Sequence, residues 1–224
     1  MIVRSIALVL AAVAATPSPS PGPSASPQKL TIKTIATVRS TPYCGNLGEH
    51  FNRIVQPMLA NDVVLDRTGV TLDNVTNNLR SPDFAIRFAQ SRADLAKYVD
   101  SLMKSLPVMQ DQINQLRSGE KLTTDPDQSK EMHLLAQELQ RAYNKQMQLT
   151  SDLHGVLQGM MDFDTSHYDP TSTQNLFESL SMPKDMKNVK SYLRFDGQRD
   201  VLADAENKAG DIALDIAEKY CGAK

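Results

Sequence analysis

Beginning at Leu47, side chains recur at intervals of 4, 3, 4, 3, 4, 3, 4, 3 and 4 through Phe51, Ile54, Met58, Asn61, Leu65, Thr68, Leu72, Val75 and Leu79. This 3.5-residue period belongs to a helix that packs along one seam of a bundle or coiled coil. Asn61 and Thr68 are its polar members, and Pro57 and Gly69 should bend the helix without ending it. Ser81-Pro82-Asp83 reads as a second start, with Ser as N-cap and Pro at the first helical position. The stripe behind it is Phe88, Arg92, Leu95, Val99, Leu102, Leu106, Met109, Ile113 and Leu116, with a kink expected at Pro107 and a stop at Ser118-Gly119. Asp125-Pro126-Asp127 repeats the start signal, and Met132, Leu135, Leu139, Ala142, Gln146, Leu149, Leu153, Val156 and Met160 repeat the period. A last helix is expected from Asp185 to Tyr220, carrying Val189, Leu193, Leu202, Ala205, Ala209, Ile212 and Ile216 and interrupted at Phe195-Asp196-Gly197.

At ~1.5 Å per residue such helices are ~50 Å long. The first two connections are short, which makes those neighbours antiparallel. Only the third, Asp162 to Pro183, is long, with room for a short helix over 174–180. The expected fold is all-α: an up-down-up-down antiparallel four-helix bundle. Two long hairpins, open along one side or completed by a second chain, are the competing arrangement. With no Trp, six Phe and six Tyr, the chain is aromatic-poor, which suits packed helices. Cys44 and Cys221 flank the helical region, and an even number of antiparallel helices returns the chain ends to one end of the bundle. A Cys44–Cys221 disulfide is therefore expected.

Residues 1–15 read as a secretory signal peptide: Arg4, an apolar run from Ile6 to Val13, then Ala12, Ala14 and Ala15 for cleavage. The run is far short of the ~20 residues that span a bilayer, so no transmembrane span is expected after cleavage. Residues 16–29 form a Pro/Ser-rich spacer, and 30–43 an extended arm rich in β-branched residues. The helical bundle domain occupies 44–224. These features place the protein outside the cytoplasm, periplasmic or extracellular.

A formal charge of −2 argues against generic nucleic-acid or anionic-membrane binding. The chain has no Glu-x-x-His pair for a di-iron bundle, no His-Glu-x-x-His and no Gly-x-Ser-x-Gly. The densest polar string lies in the third connection. Asp162, Asp164 and His167 there are the candidate metal ligands, and Met160, Met161, Met182 and Met186 with His154 or His167 are a weaker Cu(I) set. Caps and turns select the same Asp and Ser residues. No cofactor is implied and no oligomeric state is specified. The expected role is that of an exported, non-enzymatic bundle acting through protein–protein or envelope contact, and the alternative is a ligand- or metal-binding bundle using residues 154–186.

Overall fold

The computed structural model describes residues 28–78, 80–168 and 195–223. Four long helices account for most of them: α1 (Pro42–Asn77), α2 (Phe84–Ser118), α3 (Pro126–Asp162) and α4 (Phe195–Cys221). Short 3-10 turns at Gly119–Leu122 and Thr165–His167 follow α2 and α3, and no strand occurs among the described residues. The expected signal peptide, the expected spacer up to Pro27, Leu79, residues 174–180, Val189 and Leu193 lie outside them.

The alternating seam is what turns inward. On α1, Leu47, Phe51, Ile54, Met58, Asn61, Leu65, Thr68 and Leu72 are all buried, and the helix runs through Pro57 without a break. On α2 the seam is kept except at two places: Ser91 is buried where Arg92 was expected, leaving Arg92 half-buried, and Leu106 is half-buried. Interhelical bonds show how the helices run. Asn46 Nδ2 donates to the Gln115 carbonyl at 3.0 Å and Asn61 Nδ2 to Ser105 Oγ at 2.9 Å, so α2 descends beside α1. Gln110 and Gln140 exchange amide bonds at 3.0 Å across α2 and α3. Lys219 reaches Glu131, Lys208 reaches Glu138 and Gln198 reaches Asp152, so α4 is antiparallel to α3.

The start signals differ in outcome. Asp125 caps α3, its Oδ1 accepting from Asp127 N at 2.9 Å with Pro126 in the first turn. Ser81-Pro82-Asp83 instead forms a turn: Ser81 Oγ accepts from Asp83 N, and α2 begins two residues later than expected, at Phe84. The first helix also gains a cap that the apolar spacing alone did not show. Thr41 Oγ1 accepts from Cys44 N at 3.2 Å and Pro42 opens the helix, so Cys44 lies inside α1 and not before it. Cys221 is likewise the last residue of α4. Phe195-Asp196-Gly197, expected as an interruption, is the helical first turn of α4 as described.

Cys44 and Cys221 are bonded, with Cα atoms 5.5 Å apart and 177 residues between them in sequence. Closing so long a loop removes much of the unfolded chain's freedom. The Cys44→Ser, Cys221→Ser double variant is expected to lose roughly 3–5 kcal/mol in urea unfolding. Thiol titration of the native protein should find no free thiol; two free thiols would contradict the bridge.

Candidate functional site: a polar layer and the groove between the first and last helices

The core divides into two apolar clusters. One, at the disulfide end, includes Leu47, Phe51, Met58, Met109, Leu116, Met132 and Ile216. The other, at the far end, includes Leu65, Leu72, Phe88, Leu95, Leu153, Phe195 and Leu202. Between them the seam turns polar on every helix. Asn61 separates Met58 from Leu65, Ser105 separates Leu102 from Met109, and Gln146 separates Ala142 from Leu149; α4 adds Arg199 and Glu206. Such residues fix register at a cost in stability.

The true seam of α4 is Phe195, Arg199, Leu202, Glu206, Ala209, Ala213 and Ile216, all buried and again spaced by 4 and 3. The expected stripe lacked Phe195, Arg199, Glu206 and Ala213 and contained Ile212, which is half-buried. Two charged residues had concealed the repeat. Arg199 Nη2 reaches Asp62 Oδ1 at 3.1 Å and bonds Asp66, tying α4 to α1. Burial works against its charge, but the bonds to Asp66 and Asp62 hold its pKa above the ordinary arginine value. Glu206 is 3% exposed and its Oε1 has no hydrogen-bond partner. Burial, with the nearby Asp62 charge added, pushes its pKa to about 8, so the neutral acid is the form stored at neutral pH.

Along the disulfide half, α1 and α4 are bridged by the arm. Residues 28–39 run alongside α4 and antiparallel to α1, with Leu30, Ile32 and Ile35 buried in the disulfide-end cluster. Two asparagines hold the backbone. Asn207 Oδ1 accepts from Thr31 N at 2.6 Å and from Ile32 N at 3.2 Å, while its Nδ2 donates to the Lys29 carbonyl at 3.1 Å. Asn52 Oδ1 accepts from Ile35 N at 2.8 Å and its Nδ2 donates back to the Ile35 carbonyl at 2.8 Å. Gln28 N donates to Asp200 Oδ1 at 2.7 Å, and the Val38 and Arg39 amides both donate to the Cys221 carbonyl at 3.0 Å. The floor is built of glycine. A Cβ on Gly210 would lie 2.8 Å from Ile32 Cγ1, and one on Gly48 would lie 2.9 Å from Thr37 Oγ1. Apolar burial of three side chains contributes ~6 kcal/mol and these eight hydrogen bonds ~8 kcal/mol. Ordering the twelve residues costs at least ~12 kcal/mol, so docking is close to balance.

Of the candidate ligands, Asp162 and Asp164 are described with their side chains and His167 by its backbone alone. Asp162 ends α3, and Asp164 Oδ1 accepts from Ser166 N at 2.9 Å as a cap; the His167 side chain and Met182 and Met186 lie outside the described residues. Among the described residues no three His, Cys, Asp or Glu come together to hold a metal. What the string does supply is aromatic. Phe163 packs 5.2 Å from Phe88 and Tyr168 4.2 Å from Phe84, closing the far end of the core. At the disulfide end an open cleft of about 430 Å³ is lined by Arg39, Lys121, Tyr43, Tyr220 and Gln128.

Two outcomes follow from this geometry. A carboxyl whose folded pKa is raised contributes stability that is full below the unfolded value, near 4.5, and is lost as pH rises through about 8. Glu206→Gln should therefore match the native protein near pH 4 and exceed it by on the order of 3 kcal/mol at pH 9 in urea unfolding; equal midpoints at pH 9 would exclude a buried neutral acid. Gly210→Ala gains ~1 kcal/mol of helix propensity but strikes Ile32. It should stabilise a chain whose arm is weakened by Ile32→Asp and Ile35→Asp, yet fail to stabilise the native chain. Equal gains in both backgrounds would mean the arm does not press on that glycine. No family model, curated protein or solved structure matches this chain.

Proposed function

We propose that this is an exported, non-enzymatic protein, an up-down-up-down four-helix bundle, that acts through protein–protein contact at the cell envelope or outside the cell. The pairwise antiparallel packing of α1 with α2, α2 with α3 and α3 with α4, together with the bond joining Cys44 of α1 to Cys221 of α4, supports the bundle. The disulfide fits an oxidising compartment, in keeping with the signal pattern of residues 1–15. Among the described residues no helix is long and apolar enough to cross a membrane. The observation that carries the reading is the α1–α4 groove, which holds an extended backbone through side-chain amides. Extended peptides are recognised in this general way, main-chain bonds giving affinity and side-chain contacts giving selectivity.

Affinity capture from the exported fraction tests it with three full chains: native, arm-weakened by Ile32→Asp and Ile35→Asp, and one with residues 162–183 replaced by a short linker. Specific partners should be retained by the linker variant and change in amount with the arm-weakened one. If no chain retains a specific partner, the protein–protein reading fails. N-terminal sequencing of the exported protein should begin near residue 16; an uncleaved start would remove the export step.

A further inference from the structure

The groove that Asn52 and Asn207 line is filled by the chain's own residues, and how it holds them defines what else it can hold. Both asparagines address backbone amides and carbonyls of the arm and no arm side chain. Such contacts are available from any extended segment. Selection comes from the positions equivalent to Leu30, Ile32 and Ile35, where aliphatic side chains are buried, and from Gly48 and Gly210, which let the segment lie close to both helices. Charge adds to this. The arm carries Lys29, Lys33 and Arg39. Helical spacing sets Asp204, Asp211 and Asp215 near the side of α4 where Asp200 and Asn207 meet the arm.

We infer that the groove between α1 and α4 is a binding site for an extended, basic, aliphatic peptide segment of a partner protein, and that residues 28–39 are its resident occupant. The inference rests on the protein-contact reading above and names the chemistry of the partner. Because the arm's own docking is nearly balanced, a segment of the same pattern can replace it. The arm is tethered through Ser40 and Thr41 directly to α1, so a competitor meets a local arm concentration in the millimolar range. Weakening the arm while leaving the groove intact is therefore the way to expose the site.

The probe is a fluorescent peptide with the sequence of residues 28–39, titrated by anisotropy into full chains. The arm-weakened chain (Ile32→Asp, Ile35→Asp) should bind it saturably at one-to-one, at least tenfold tighter than the native chain. Adding Asn52→Ala and Asn207→Ala should cost at least tenfold, and a peptide with aspartate at the two isoleucine positions should not bind. Absence of saturable binding to an arm-weakened chain that keeps its helical circular dichroism and its disulfide would overturn the inference. Should that variant not fold, hydrogen exchange of the native chain in millimolar peptide serves instead: the Thr31, Ile32 and Ile35 amides should exchange faster, and unchanged rates would overturn it. A native dimer formed by exchange of arms would make a second copy the occupant and overturn the partner-peptide assignment. Failure here alongside retained partners in affinity capture would remove the groove as their site while leaving the proposed function standing.

Discussion

The contact between the first and last helices is the constraint on which the rest of this structure depends. Chain connectivity brings α1 beside α2, α2 beside α3 and α3 beside α4, but nothing in the connectivity joins α4 to α1. Three different devices do so along the length of the pair. The Cys44–Cys221 bond fixes one end. Arg199, bonded to Asp62 and Asp66, fixes the middle. Between them the arm lies over both helices and supplies aliphatic side chains to the shared core. A covalent bond, a charge network and a strap act on one seam, and each resists a different failure. The bond limits the unfolded chain, the charges oppose slippage of register, and the strap keeps water from the cluster beneath it.

Why this seam needs so much help is visible in the composition of α4. Its buried residues include Ala203, Ala205, Ala209, Ala213 and Ala217, with Gly210 beside them. Small side chains bury little area, and dispersion and transfer gains scale with what is buried. Leu30, Ile32 and Ile35 supply the missing bulk from outside the helix set. The two charged seam positions weaken α4 further. Glu206 stays buried as a neutral acid with one oxygen unpartnered, and leaving a buried polar atom unmade is a real cost.

Much of this was legible in the sequence, and the parts that were not share a cause. The seams of α1 up to Leu72 and of α3 up to Leu153 could be read residue by residue because apolar side chains fill them, down to the polar exceptions Asn61, Thr68 and Gln146; near the end of α3 it is Leu157 that is buried, not the expected Val156. The disulfide followed from two cysteines in a chain read as exported, and an even number of antiparallel helices agreed with it. The seam of α4 was not legible, because Arg199 and Glu206 occupy inward positions that periodicity assigns to the surface. The arm was legible as extended but not as docked: its partners, Asn52 and Asn207, lie 17 to 178 residues away. No local pattern marks an asparagine that will hold a distant backbone. The string around Asp164 drew attention for its carboxylates, while its structural contribution among the described residues comes from Phe163 and Tyr168.

A strap that completes a core is ordinarily fixed by making its docking strongly favourable. Here the opposite balance holds, since the burial and hydrogen bonds gained are about as large as the ordering cost. The disulfide and the Arg199 bonds join α1 to α4 without passing through the arm. Those two attachments separate stability from occupancy. A peptide-binding groove has to keep its helices side by side when the segment between them leaves, and attachments outside the arm serve that condition. A bulkier aliphatic residue at Gly210 would fill the space that Ile32 takes, but it would leave Asn52 and Asn207 without the backbone they bind. The choice of glycine and asparagine over bulk is what makes the groove a receptor for an extended chain.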